Sequence, residues 1–222
     1  MLKGLLIVFY IGMLVLNGLA NGLPLGGRTT GAVSEQYPSL FTPSGITFSI
    51  WGLIYVLLSV ALIMLVFDVY ALEANLKLWV MLLFVLSCVF NMVWLLMWHF
   101  DHIVLSTVVM VFLFVVLMVL FIMIPSDAFL VKVAFSMYAG WISIALIANV
   151  TIMLVALNMP RLGLLDALWL IIVLMFVLGI GIATLFHMRD VVFGLVFIWA
   201  YIGILMRHLS SQRGGHHSSY PS

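Results

Sequence analysis

The residues able to do chemistry in this chain fall into two groups. One is compact: His99, Asp101 and His102 share the turn "HFDH", and two imidazoles with a carboxylate over four residues could ligate a metal. The same residues equally close a tight polar turn between two helices. The other group is spread out and uncharged. Phe48, Trp51 and Tyr55 recur at i, i+3 and i+7, Asn91, Trp94 and Trp98 repeat that spacing, and "YAGWISIALIAN" sets Trp141, Ser143 and Asn149 among Gly140, Ala145 and Ala148. On helices the first two sets each share a face. Flat rings with a few neutral polar groups would wall an apolar pocket for a planar or steroidal ligand. Taken singly, these residues also have plain structural roles, since Trp and Tyr favour membrane interfaces and Asn bonds across helices.

Other chemistries find no footing. The sequence holds no Ser/His/Asp set, CxxC, HExxH or glycine-rich phosphate loop, so no catalytic residue and no metal site is assigned. His216 and His217 in the tail lack further ligands. No cofactor is required and no nucleic-acid partner is expected. The lysines sit at predicted helix ends, where none could carry a retinal Schiff base. Asp68, Asp101, Asp127, Asp166 and Asp190 also fall at or near boundaries, which argues against proton or sodium coupling through an intramembrane acid. Cys88 is the one cysteine, so no internal disulfide forms.

The elements that must position the aromatic faces follow from hydropathy. Hydrophobic residues make up 67% of the chain and charged ones 7%, far from a soluble domain. Apolar runs cover about 4–22, 45–67, 78–98, 103–124, 130–157, 164–186 and 191–207, each close to the ~20 residues that cross a bilayer as helix. The fold class is an all-α, multi-pass integral membrane protein with the lipid bilayer as its solvent. The first run also has the layout of a signal peptide, whose removal would leave six spans. Lys3, Lys77, Lys132 and Arg189 fall on one face and Arg28, Arg161, Arg207 and Arg213 on the other, so the charge rule sets no orientation. The tail, 210–222, reads as polar and disordered.

The longest connection, 23–44, leads into "YPSLFTPSGITFSIWGLIY". Pro38 and Pro43 fix an extended, non-helical backbone that can lie over the end of the bundle as a lid. Arg28, with Thr29 and Thr30 among Gly26, Gly27 and Gly31, could meet an anionic ligand edge such as a propionate, or simply form a solvated turn.

These stretches resemble the TspO/MBR proteins, also called tryptophan-rich sensory proteins, translocator proteins or peripheral-type benzodiazepine receptors. That family's second span follows a PSWxPP-like segment and carries Trp-x-x-x-Tyr, which Pro38, Ser39, Pro43, Trp51 and Tyr55 match. Its Asn-x-x-Trp is matched by Asn91 and Trp94, and its Trp-x-Ser with an Asn eight residues after the Trp by Trp141, Ser143 and Asn149. The resemblance covers about residues 1–157 as a five-helix core; two additional transmembrane helices over 158–209 place the chain with a longer, seven-span branch. It implies a ligand site of Pro43, Phe48, Trp51, Tyr55, Asn91, Trp94, Trp141, Ser143 and Asn149, beneath a lid containing Arg28, Pro38 and Leu40. The implied ligand is a large hydrophobic small molecule, a tetrapyrrole among the candidates. Leu40 stands where the family has its loop Trp, Thr42 where it has a second proline, and the Met110 region is apolar where it carries an acid, which weighs against porphyrin chemistry.

Three functions compete. The chain is a TspO-like receptor or carrier that senses or transports its ligand, an enzyme that modifies a bound tetrapyrrole through its Trp rings, or a scaffold whose aromatic faces only pack helices. In the scaffold, Gly179, Gly181 and Ala183 would supply a helix contact or a homodimer contact.

Overall fold

The structure, a computed structural model, describes residues 1–22, 27–37, 43–158 and 190–216, with isolated positions between 159 and 189. Within them the chain forms α1 (Leu2–Gly22), α2 (Thr30–Glu35), a 3-10 turn (Gly45–Ser49) running into α3 (Ile50–Val66), α4 (Ala74–His99), α5 (Ile103–Met123), α6 (Phe129–Ala156) and α7 (Val191–His216). Six described segments are long and apolar enough to cross a membrane, and they fall within a few residues of the predicted runs. The run at 164–186, with its small-residue patch, lies outside the described residues apart from isolated positions.

Apolar sequence becomes helix here because hydrocarbon offers no partner to a free N–H or C=O, so the backbone must bond within itself. The helix ends are closed by residue type. Asp68, Asp101 and Asn158 take positive φ (55°, 58° and 50°) two residues past α3, α4 and α6, and Asp and Asn are the non-glycine residues that best tolerate this. In two cases the next amide bonds back, Val69 to the Met64 carbonyl at 3.0 Å and His102 to that of Met97 at 2.9 Å. "HFDH" is therefore the C-terminal cap of α4.

The five helices α1, α4, α5, α6 and α3 pack neighbour to neighbour, and α7 lies against α6 outside this group. α1 is a packed member of the bundle: Leu6, Tyr10 and Met13 are buried, and the Tyr10 hydroxyl donates to the Tyr55 carbonyl at 2.6 Å. Val104, Val108, Phe112, Val115 and Ile122 on α5 point outward. In water such a surface would drive association, whereas in a bilayer it is the solvated face.

Charges mark two faces. Asp68 pairs with Lys3 and Lys77 at one; Arg28 pairs with Asp101, and Arg207 with Glu35, at the other. In the N-terminal third of α6, Ser136 donates to Asp190 at 2.6 Å. Asp190 also accepts from the Phe193 amide and so caps α7. α6 and α7 thus run in the same direction, with the end of α6 and the start of α7 at opposite faces of the bundle. α7 extends to His216, past the end of the predicted run at 207 and into the tail read as disordered.

Candidate functional site: an aromatic cavity beneath α2

α2 closes over the end of the bundle that carries the aromatic faces. Thr29 caps it, its hydroxyl accepting from the Ala32 amide at 3.2 Å, and Gly27 supplies the left-handed turn just before, at φ 80°. Two sets of hydrogen bonds hold α2 down, beside the Arg207–Glu35 pair. The Trp98 indole N–H donates to the Thr30 carbonyl at 3.1 Å. Arg28 forks onto Asp101 at 2.6 and 3.2 Å, reaches the His99 carbonyl at 3.1 Å and donates to Gln36 at 2.6 Å. The bond to Asp101 is the first cause that holds the guanidinium above its ordinary pKa.

Beneath α2 lies a cavity walled by Trp51, Trp94, Trp98, Trp141 and Phe48, with Thr30 and Ser34 above and Ala145, Ala148 and Asn149 on the α6 side. Trp51 is its central ring. It stacks on Tyr55 at 5.5 Å and on Trp94 at 6.3 Å, and meets Tyr138 and Trp141 edge to face at 5.9 and 6.2 Å. The free volume is about 40 Å³. That holds one to a few waters, against the ~300–1,000 Å³ of sites for drug-sized ligands. A large ligand therefore enters only if α2 or the rings move.

The polar groups around the cavity divide sharply. Asn149 accepts from the Trp94 indole at 3.3 Å and the Ser106 hydroxyl at 3.4 Å, and donates to the Ala145 carbonyl at 3.0 Å. Its amide is used to orient Trp94 and to join α5 to α6. The Thr30 hydroxyl and the Trp141 indole N–H, by contrast, are buried without a hydrogen-bond partner, and a buried donor left so is costly, about 1–3 kcal/mol. Both residues line the cavity.

A family model described as TSPO-like protein matches residues 3–218. This chain belongs to the TSPO-like protein family. The match takes in α7 as well as the five-helix bundle. No curated protein and no solved structure matches the chain.

In this TSPO-like bundle, Pro43, Phe48, Trp51, Trp94, Trp141 and Asn149 come together on the cavity. Three expected ligand residues do not line it. Asn91 is fully buried, accepting from Asn17 at 2.8 Å and donating to the Tyr138 hydroxyl at 2.9 Å. It ties α1, α4 and α6 together, the cross-helix role open to any buried Asn. Tyr55 backs Trp51, and the Ser143 hydroxyl bonds back to the Ala139 carbonyl at 2.7 Å. Arg28, expected at an anionic ligand edge, is engaged by Asp101; Pro38 and Leu40 lie outside the described residues. His99 turns its Nδ1 to the Leu95 carbonyl, and among the described residues no group of three His, Cys, Asp or Glu could hold a metal.

Sequence reasoning missed Ser34 as a site residue, and Thr30, read there beside Arg28 at an anionic ligand edge, lines the aromatic cavity instead. α2 has six residues, too few for a helical period; the signal that could have found it is Thr29, a residue type favoured at N-caps. Trp98 stood on the right face with Asn91 and Trp94, and it both lines the cavity and holds α2.

Proposed function

We propose that this membrane protein is a receptor or carrier for a flat, largely apolar molecule that carries one hydrogen-bond acceptor. The observation that carries the reading is the pair of unpartnered buried donors, Trp141 Nε1 and Thr30 Oγ1, on residues that line a largely apolar cavity. A ketone, ether or hydroxyl oxygen between the rings would satisfy them, while the stacked faces of Trp51 and Trp94 would take the planar body. Tetrapyrroles remain in the class by shape. Their propionates find less support, because Arg28 is already paired. The small free volume favours a scaffold in which the rings only pack, and binding decides between the two. Purified protein in detergent is titrated with fluorenone and with protoporphyrin, and ligand-dependent tryptophan quenching is followed beside Trp51→Ala. The receptor reading predicts saturable quenching by fluorenone that Trp51→Ala abolishes; linear, non-saturating quenching in both would leave the scaffold.

A further inference from the structure

We infer that α7 is a clamp that sets the wall of the ligand cavity, and that Gly203 and Trp199 are its positioning residues. The inference rests on the ligand-site reading above, and goes beyond it by giving the C-terminal span a role in binding.

The Gly45–Ser49 turn carries Phe48 and leads directly into Trp51, so its placement sets both rings. As a 3-10 turn of five residues it is short and has poorer hydrogen-bond geometry than an α-helix. Ser44, which precedes it, makes no side-chain cap to its first turn. α7 supplies what the turn lacks. The Ser44 amide donates to the Gly203 carbonyl at 3.0 Å, and the Trp199 indole donates to the Thr47 carbonyl at 3.0 Å. At residue 203 the backbones approach so closely that an added Cβ would lie 2.0 Å from Thr47 Oγ1 and 2.7 Å from its Cγ2. Only glycine fits there. α7 is in turn fixed to α6, where a Cβ on Gly140 would lie 3.2 Å from the Cβ of Val196 and where Ser136 holds Asp190. The path from α7 to the cavity is thus two hydrogen bonds and one steric contact, on the five-residue turn and the Ser44 that precedes it.

The test uses the full chain in detergent and two readouts, hydrogen exchange of segment 43–50 and calorimetric binding of fluorenone. Gly203→Ala pushes a methyl group into Thr47, and Trp199→Phe keeps the ring while removing its bond to the Thr47 carbonyl. The clamp predicts faster exchange at 43–50 in both variants with α4 and α5 unchanged. It also predicts fluorenone affinity weakened about three- to tenfold, the worth of one misaligned aromatic pair. Adding Thr47→Ala to Gly203→Ala removes the two closest contacts and restores part of both, which a general loss of stability would not do. Unchanged exchange at 43–50 overturns the clamp, as does raised exchange with unchanged affinity. If the wild-type chain binds no fluorenone while exchange still rises locally in the variants, the ligand reading fails and the mechanical coupling of α7 to the turn stands.

Discussion

The buried chain Asn17–Asn91–Tyr138 gives a prediction that can be worked from geometry alone. Asn17 donates to Asn91 at 2.8 Å and Asn91 donates to Tyr138 at 2.9 Å, with Asn91 and Tyr138 at zero exposure. Interhelical hydrogen bonds of this kind contribute about 0.6 kcal/mol on average and up to about 1.7 in membrane proteins. Asn17→Ala removes one of them and should cost about 0.5–1.5 kcal/mol. Asn91→Ala removes both and leaves a void, and should cost about 2–4 kcal/mol. The double variant should cost less than the sum of the two by the shared bond, about 0.6–1.7 kcal/mol. The assay is reversible unfolding in mixed micelles, read by tryptophan emission and by helix content. Independent sites add to within about 0.3–0.5 kcal/mol, so additivity at that level would refute a direct Asn17–Asn91 bond. The network bears on the site because Tyr138 meets Trp51 edge to face at 5.9 Å. Asn91→Ala should therefore weaken ligand binding by loosening that ring, and lose less of it than Trp51→Ala.

Two further predictions follow from the cavity's walls. Arg28→Gln and Asp101→Asn each break the fork that pins α2, so both should speed fluorenone association and dissociation in stopped-flow mixing, and the double variant should match the singles; association rates equal to wild type would remove α2 as the gate. Trp51→Ala deletes four ring pairs, each of about 0.5–1.5 kcal/mol, so its unfolding midpoint should fall by an amount equivalent to at least about 2 kcal/mol, and a midpoint within error of wild type would show that the rings do not pack as described.

Much of the architecture was legible because hydrocarbon is an undemanding solvent to read: a run of apolar residues of bilayer length has essentially one stable form. The aromatic face was legible for a related reason, since i, i+3 and i+7 on one helix must point the same way, and Phe48 and Trp51 do meet Trp94 and Trp141. What spacing cannot give is which side of a helix turns to a cavity and which to a neighbour. Asn91 lies on the same face of α4 as Trp94, three residues and nearly one turn earlier, yet that step along the axis carries it from the cavity to Asn17 and Tyr138. Arg28 and Asp101 are 73 residues apart, so no local pattern announced their pairing. α2 was invisible for want of length, and Gly203 for want of a partner, since a glycine inside an apolar run becomes informative only when Thr47 is found against it.

The central claim is that the cavity recognises an acceptor through Trp141 and Thr30, and it is tested most directly by comparing fluorenone with fluorene, the same flat skeleton without the carbonyl. Calorimetric titration of the wild-type chain should find fluorene weaker by about 5- to 150-fold, the cost of about 1–3 kcal/mol for stranding buried donors. In Trp141→Phe the gap should narrow, mainly because fluorenone loses affinity. Equal affinity for the two compounds in the wild-type chain, or a gap that Trp141→Phe leaves intact, would contradict the account.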